Sequence, residues 1–130
     1  MGRTSTSSAE VDGAALRAVL EAVAAEGATR TYAQVAAAAG IEPPQSIHRL
    51  NMALERLMDA DAAAGRPLLA AVVVSRTRQG LPAPGFFAHA RQLGRYHGPE
   101  RGSAAAEFHA QELAAVHERY SGEGTANERE

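Results

Sequence analysis

The sequence predicts a mainly α-helical single domain with a small β element, ordered as a winged helix-turn-helix. Three observations predict it. Alanine supplies 30 of the 130 residues; it is the strongest helix former but buries little area, so the core must rest on a short set of Leu, Val, Ile, Met, Phe and Tyr. Apolar stripes at helical spacing, separated by glycines, fill residues 11–64. One compact, β-branched apolar run, PLLAAVVVSR at 67–76, follows them and has the length of a strand. The resulting order is helix, short helix, tight turn, longer helix, strand and loop, in which the short helix props the longer one into a DNA groove.

Each element has its own signal. Residues 1–10 (MGRTSTSSAE) and 121–130 (SGEGTANERE) are polar and are expected as disordered tails around a domain at 11–120. A first helix is expected over 11–26, where Val11, Leu16, Val19, Leu20 and Val23 keep the period, Asp12 is placed as cap and Gly27 ends the run. A short helix over 32–39 follows, capped by Thr31 and closed by Gly40. Ile41-Glu42-Pro43-Pro44 reads as an extended turn, because each proline restricts the residue before it. The third helix is expected over 45–64, with Ile47, Leu50, Met52 or Ala53, Leu54, Leu57 and Met58 as its apolar stripe and Gly65 as its stop. The run at 67–76 reads as the one clear strand. A lone strand cannot satisfy its own backbone, so a partner is expected from 28–31 or from another chain. A loop at 77–85, a short helix over 85–93 led by Phe86 and Phe87, a loop at 95–103 and a final helix over 104–119 complete the reading.

Composition excludes several chemistries. There is no cysteine, which removes disulfides, a thiolate nucleophile and Cys-based metal sites. No apolar run approaches the ~18–20 residues of a membrane span, and residues 1–8 lack an apolar leader core. A cytoplasmic protein is expected. His109 and Glu112 share a face of the last helix, but His117 lies a further turn and a half along, so no metal site is expected there. Asp59 and Asp61, two apart, do not share a helix face. No phosphate loop or nucleophile elbow is present, and no cofactor is expected.

The net charge of −2 hides an asymmetry: residues 1–29 carry two Arg against four acids, 30–95 eight against four, and 96–130 three against seven. A basic middle between acidic ends is compatible with a polyanion-binding face. All thirteen basic residues are Arg, which fits a GC-rich coding bias and also gives bidentate grip on phosphate and base edges.

The segment Thr31-Tyr32-Ala33-Gln34-Val35-Ala36-Ala37-Ala38-Ala39-Gly40 resembles the T-Y-G-E-V-A-x-x-A-G stretch in the DNA-binding domain of O6-alkylguanine-DNA alkyltransferases and alkyltransferase-like proteins. Ile47-His48-Arg49-Leu50-Asn51 stands near that family's A-R-A-V-G recognition helix, and 67–76 near its apolar strand; the resemblance covers about residues 29–76. It implies a winged-helix DNA-binding architecture, with Tyr32 against the DNA backbone near an extruded nucleotide and Arg49 entering the duplex. The family's P-C-H-R and P-W-H-R motifs have no counterpart, since this chain reads Val73-Val74-Ser75-Arg76. Alkyl transfer needs a thiolate acceptor and is excluded. The string at 67–87 is also similar to a pattern found in uncharacterised bacterial proteins and in segments of HNH-type nucleases, to which no mechanism attaches.

The function expected is therefore non-enzymatic binding of double-stranded DNA. Gln45, Ser46, His48, Arg49 and Arg56 on the third helix would face the nucleic acid. Arg30, Arg66, Arg76 and Arg78 would grip phosphate, the last two from a wing at about 76–85. The bland readings are that Tyr32 is a half-buried packing residue, Arg49 part of a solvated helix face and the wing a structural loop. The alternative function is a protein-interaction module or homodimer, docking through the helix at 104–119 with Phe108, Leu113 and Val116. A nuclease-like enzyme is the third and least supported reading.

Overall fold

A computed structural model describes residues 11–129, with side chains described through Ser121. The tail expected at 1–10 lies outside the described residues. The chain is mainly helical with one small two-stranded sheet. Helix α1, Gly13–Ala25, begins where Asp12 Oδ1 accepts the N–H groups of Ala14 and Ala15 at 3.0 and 3.2 Å, the side-chain cap that an aspartate supplies. Strand β1, Arg30–Thr31, runs directly into helix α2, Tyr32–Ala38. Thr31 and Gln34 cap each other's backbone there in a reciprocal box. Gly40, at φ +74°, turns the chain, and helix α3, Ser46–Ala63, follows.

The apolar run at 67–76 departs from the expected strand. Leu69–Val72 form a 3-10 turn and only Val73–Val74 form strand β2, which pairs parallel to β1 in the register Arg30↔Val73, Thr31↔Val74. The partner segment is the one expected. The reason for the departure is coverage. Leu68, Leu69, Ala71, Val72 and Val73 are fully buried, yet only two residues of neighbouring strand are present to pair with them. A buried backbone must be satisfied somehow, and three side chains do it. Leu68 N–H donates to Glu112 Oε2 at 2.7 Å, Leu69 N–H to Asp61 Oδ2 at 3.0 Å, and His109 Nε2 donates to the Ala71 carbonyl at 2.9 Å.

The loop after β2 folds on itself. Ser75 caps a 3-10 turn at Arg76–Arg78, and Ser75 N–H donates to the Leu81 carbonyl at 2.8 Å. No strand forms within it. Helix α4, Pro84–Gln92, starts with proline at its first position, where the missing N–H is not needed. Helix α5 spans Gly102–Arg129. It begins before the expected 104 and continues through the segment expected as a tail.

The core joins Leu16 and Leu20 of α1, Leu50 and Met58 of α3, the buried turn, and an aromatic group from α4, α5 and the loop between them. Phe86 meets Phe87 edge-on at 5.2 Å, and Tyr96 stacks on Phe108 at 4.6 Å, both favourable ring geometries. Two sequence expectations change here. On α3, Ile47 leaves the stripe at 41% exposed, Ala53 and not Met52 (48% exposed) fills the position left open between them, and fully buried Asp61 joins it. On α5, Val116 is buried and Phe108 and Leu113 pack against the core. The face proposed for docking at 104–119 is thus spent inside the molecule, because α5 covers both α1 and the buried turn.

Candidate functional site

Helices α2 and α3 sit on either side of a short turn. Arg49 N–H donates to the Gln45 carbonyl at 2.9 Å, and the Arg49 guanidinium donates to the Glu42 carbonyl. Gln45 begins α3 in the left-handed region at φ 59°, without a side-chain cap. Inward, Leu50, Ala53, Leu54, Leu57 and Met58 anchor the helix; outward, Gln45, Ile47, His48, Met52 and Arg56 are exposed. Ser46 is half-buried at the helix start.

The ten candidates do not gather on one face. Gln45, Ser46, His48, Arg49 and Arg56 lie along the first part of α3, and Tyr32 lies beside His48 in a cleft described below. Arg66 follows the far end of the same helix, beyond Asp61, which stands about 22 Å along the axis from Ser46 at ~1.5 Å per residue. Arg66 Nε donates to Asp61 Oδ1 at 3.0 Å. Arg17 makes the same contact at 3.0 Å. Arg30 pairs with Glu26 at 2.8 Å, one helical turn back in sequence. Arg78 turns inward, donating to the Pro82 and Glu100 carbonyls at 2.8 and 2.5 Å, with its guanidinium 6.0 Å from the centre of the Phe87 ring. Among the described residues, Arg56 and Arg76 are the two candidate arginines exposed with no internal partner. The expectation of four phosphate-gripping arginines therefore changes: Arg66 and Arg78 brace the fold, Arg30 is held in an exposed pair, and Arg76 stays open.

A cleft of about 510 Å³ opens between α3 and the start of α4. His48, Asn51, Met52, Leu54, Glu55 and Met58 line it from α3. Tyr32 enters from α2, with Ala70, Ala83, Gly85 and Phe86 opposite. The Tyr32 hydroxyl oxygen accepts the Ala83 N–H at 2.9 Å. Burial pushes the phenol's pKa up, against smaller opposing effects of the Ala83 hydrogen bond and the Arg78 charge, so the group is a neutral donor at physiological pH. The packing reading of Tyr32 and its placement beside the cleft are both present in one side chain. At the cleft's edge His89 Nε2 lies 2.7 Å from Asp59, and Nδ1 lies 3.9 Å from Glu55.

The histidines of α5 have structural partners. His109 holds Ala71, and His117 Nε2 donates to the Ala28 carbonyl at 2.9 Å. Burial lowers the His109 pKa, partly opposed by the Ala71 hydrogen bond and reinforced by nearby His117. Glu112 serves Leu68 and also lies 3.4 Å from Arg95. Among the described residues no three potential ligands gather to hold a metal ion.

Asn51, Glu55 and Phe86 were not singled out from sequence as site residues. Their meeting depends on how α3 packs against α4. Asp61 carried a readable signal: at three and four residues from Met58 and Leu57 it falls on the buried stripe, where a carboxylate requires partners. No protein-family model, curated protein or solved structure gives a significant match to the chain.

Proposed function

We propose that this chain binds double-stranded DNA through the outer face of α3 and performs no reaction on it. The observation that carries the reading is the exposed row His48, Met52 and Arg56, spaced four residues apart on α3, which follows exposed Gln45 and Ile47 at the α2 turn. In a helix-turn-helix this is the part of the second helix that meets base edges. Met52 suits apolar contact with thymine methyls, and Gln45 suits an adenine edge. In the winged-helix form of this reading, the loop after β2 is the wing and Arg76 its phosphate contact. Arg49 enters the duplex only by releasing the Glu42 carbonyl.

Arg56 and Arg76 supply the phosphate contacts directly. Arg30 adds a third, since an exposed ion pair such as Arg30–Glu26 is worth little and exchanges readily. About three contacts give a log–log salt slope near −3 and weak binding, on the order of 10⁻⁴–10⁻⁶ M. Anisotropy titration of a labelled duplex across several salt concentrations tests this. Arg56→Ala with Arg76→Ala should reduce the slope by about 2 and leave folding intact. Salt-independent binding, or none at low salt, overturns the reading.

Ile47 and Met52 favour a second reading, a protein partner at the same end of α3. They are the exposed large apolar side chains of the described residues. Binding lost in Ile47→Ser with Met52→Ser, yet insensitive to salt, would select it.

A further inference from the structure

The cleft beside α3 plays no part in the phosphate contacts, and its chemistry has the opposite sign. Leu54, Met58 and Phe86 give it apolar walls, while Glu55 is the carboxylate in its lining. Glu55 is about half exposed and has no hydrogen-bond donor among the described residues. Its nearest basic group is His89 Nδ1, at 3.9 Å, on a ring whose other nitrogen is committed to Asp59 at 2.7 Å. A second carboxylate thus stands beyond the first. The Tyr32 oxygen is used by Ala83, and among the described residues no acceptor takes its hydrogen. Asn51 also lines the cleft with no side-chain partner among them.

We propose that this cleft binds a small organic cation with a flat apolar body, of the aryl-amidinium or aryl-ammonium class, with its charge on Glu55 and its ring along Met52 and the accessible edge of Phe86. The sign of the ligand follows from what each alternative leaves behind. An anion meets the Glu55 carboxylate, with the Asp59 charge behind His89. A neutral apolar ligand removes water from Glu55 without replacing it, which costs free energy. A cation supplies the missing donors, and its apolar body also gains from the polarisable thioether of Met52. The volume falls in the range of small-molecule sites, where apolar walls and a few polar groups fix orientation.

The test uses the full chain and three isosteric probes: benzamidinium, benzamide and benzoate. Titrations followed by amide chemical shifts should show benzamidinium binding in the millimolar range, about tenfold tighter than benzamide, with shifts centred on α3 and α4. Benzoate should not bind. Glu55→Gln should bring benzamidinium down to the level of benzamide. Gly85→Leu should weaken both, because a side chain there grows into open space beside the cleft without backbone strain. Equal affinities for the three probes, unchanged benzamidinium binding in Glu55→Gln, or no benzamidinium shifts up to its solubility limit overturns the proposal. It goes beyond the DNA reading, with which it shares His48 and Met52, and the two tests are separable: these probes report Glu55, while the salt slope reports Arg56 and Arg76.

Discussion

At its carboxyl end α3 places Asp61, fully buried, against Arg17, Arg66 and the Leu69 N–H; at its amino end it starts uncapped on Gln45 at φ 59° and shows Ile47 and Met52 to solvent. One end closes around a turn whose backbone groups are served by side chains from two helices. The other leaves apolar side chains and a strained residue uncovered. The difference teaches that charge in a sequence is not charge at a surface. The basic middle of the chain spends Arg66 on a buried carboxylate and Arg78 on carbonyls. What remains for a partner lies at the open end and on the loop after β2.

Breaking the closed end should have the largest effect. Asp61→Ala leaves two guanidiniums and the Leu69 N–H without their acceptor, and should lower unfolding free energy by about 3 kcal/mol, read from urea denaturation. Asp61→Asn should recover part of it, since the amide oxygen can still accept. A loss under about 1 kcal/mol for the alanine variant would mean that the turn is not held from α3.

The pH dependence comes next. His109 is folded with a lowered pKa, so the unfolded chain binds more protons than the folded one as pH falls below the ordinary histidine value of about 6.5. Its contribution is complete above that value and is lost progressively below it, down through the folded pKa. The slope is at most about 1.4 kcal/mol per pH unit. Stability measured between neutral and mildly acidic pH should show this fall, and His109→Gln, which keeps a donor for Ala71, should flatten it.

The smallest effect belongs to the open end. Gln45→Gly removes a side chain from a left-handed position and should raise stability by about 0.5 kcal/mol. A loss instead, seen in thermal melts, would show that the Gln45 side chain supports the α2–α3 turn and would blur the contrast between the two ends.

Much of the framework was legible because it rests on local rules. Asp12 and Thr31 cap helices, Gly40 and Gly65 adopt positive φ where runs end, and 30–31 supplies the partner of 73–74. The buried turn was not legible. An apolar β-branched run reads alike whether it lies in a strand or is wrapped by helices. The groups that decide between them, Asp61, His109 and Glu112, lie 8, 38 and 44 residues from their backbone partners. The same distance hid the arginines' occupations, since carbonyl acceptors leave no mark in a sequence. Of the site, the exposed face of α3 is half legible: Gln45, His48 and Arg56 are exposed, whereas Ser46 and Arg49 are half-buried, Ile47 reads as core from the pattern, and the pattern leaves Met52 and Ala53 as alternatives for one core position. The cleft was not legible beyond Tyr32 and His48, which were picked out for DNA and not for a pocket.

Helix α5 carries a consequence for how the molecule is made. His117 reaches the Ala28 carbonyl across 89 residues, and Ser121 Oγ reaches the Ala25 carbonyl at 2.8 Å across 96. On the ribosome α1 emerges well before α5, and the part of its apolar surface that α5 covers stays open until α5 has been synthesised and has left the exit tunnel. Non-local closure of this kind is slow, and nascent chains with uncovered apolar surface are aggregation-prone. Translation stalled before Gly102 should therefore yield a chaperone-dependent, protease-sensitive intermediate, and release past Ser121 should end that dependence.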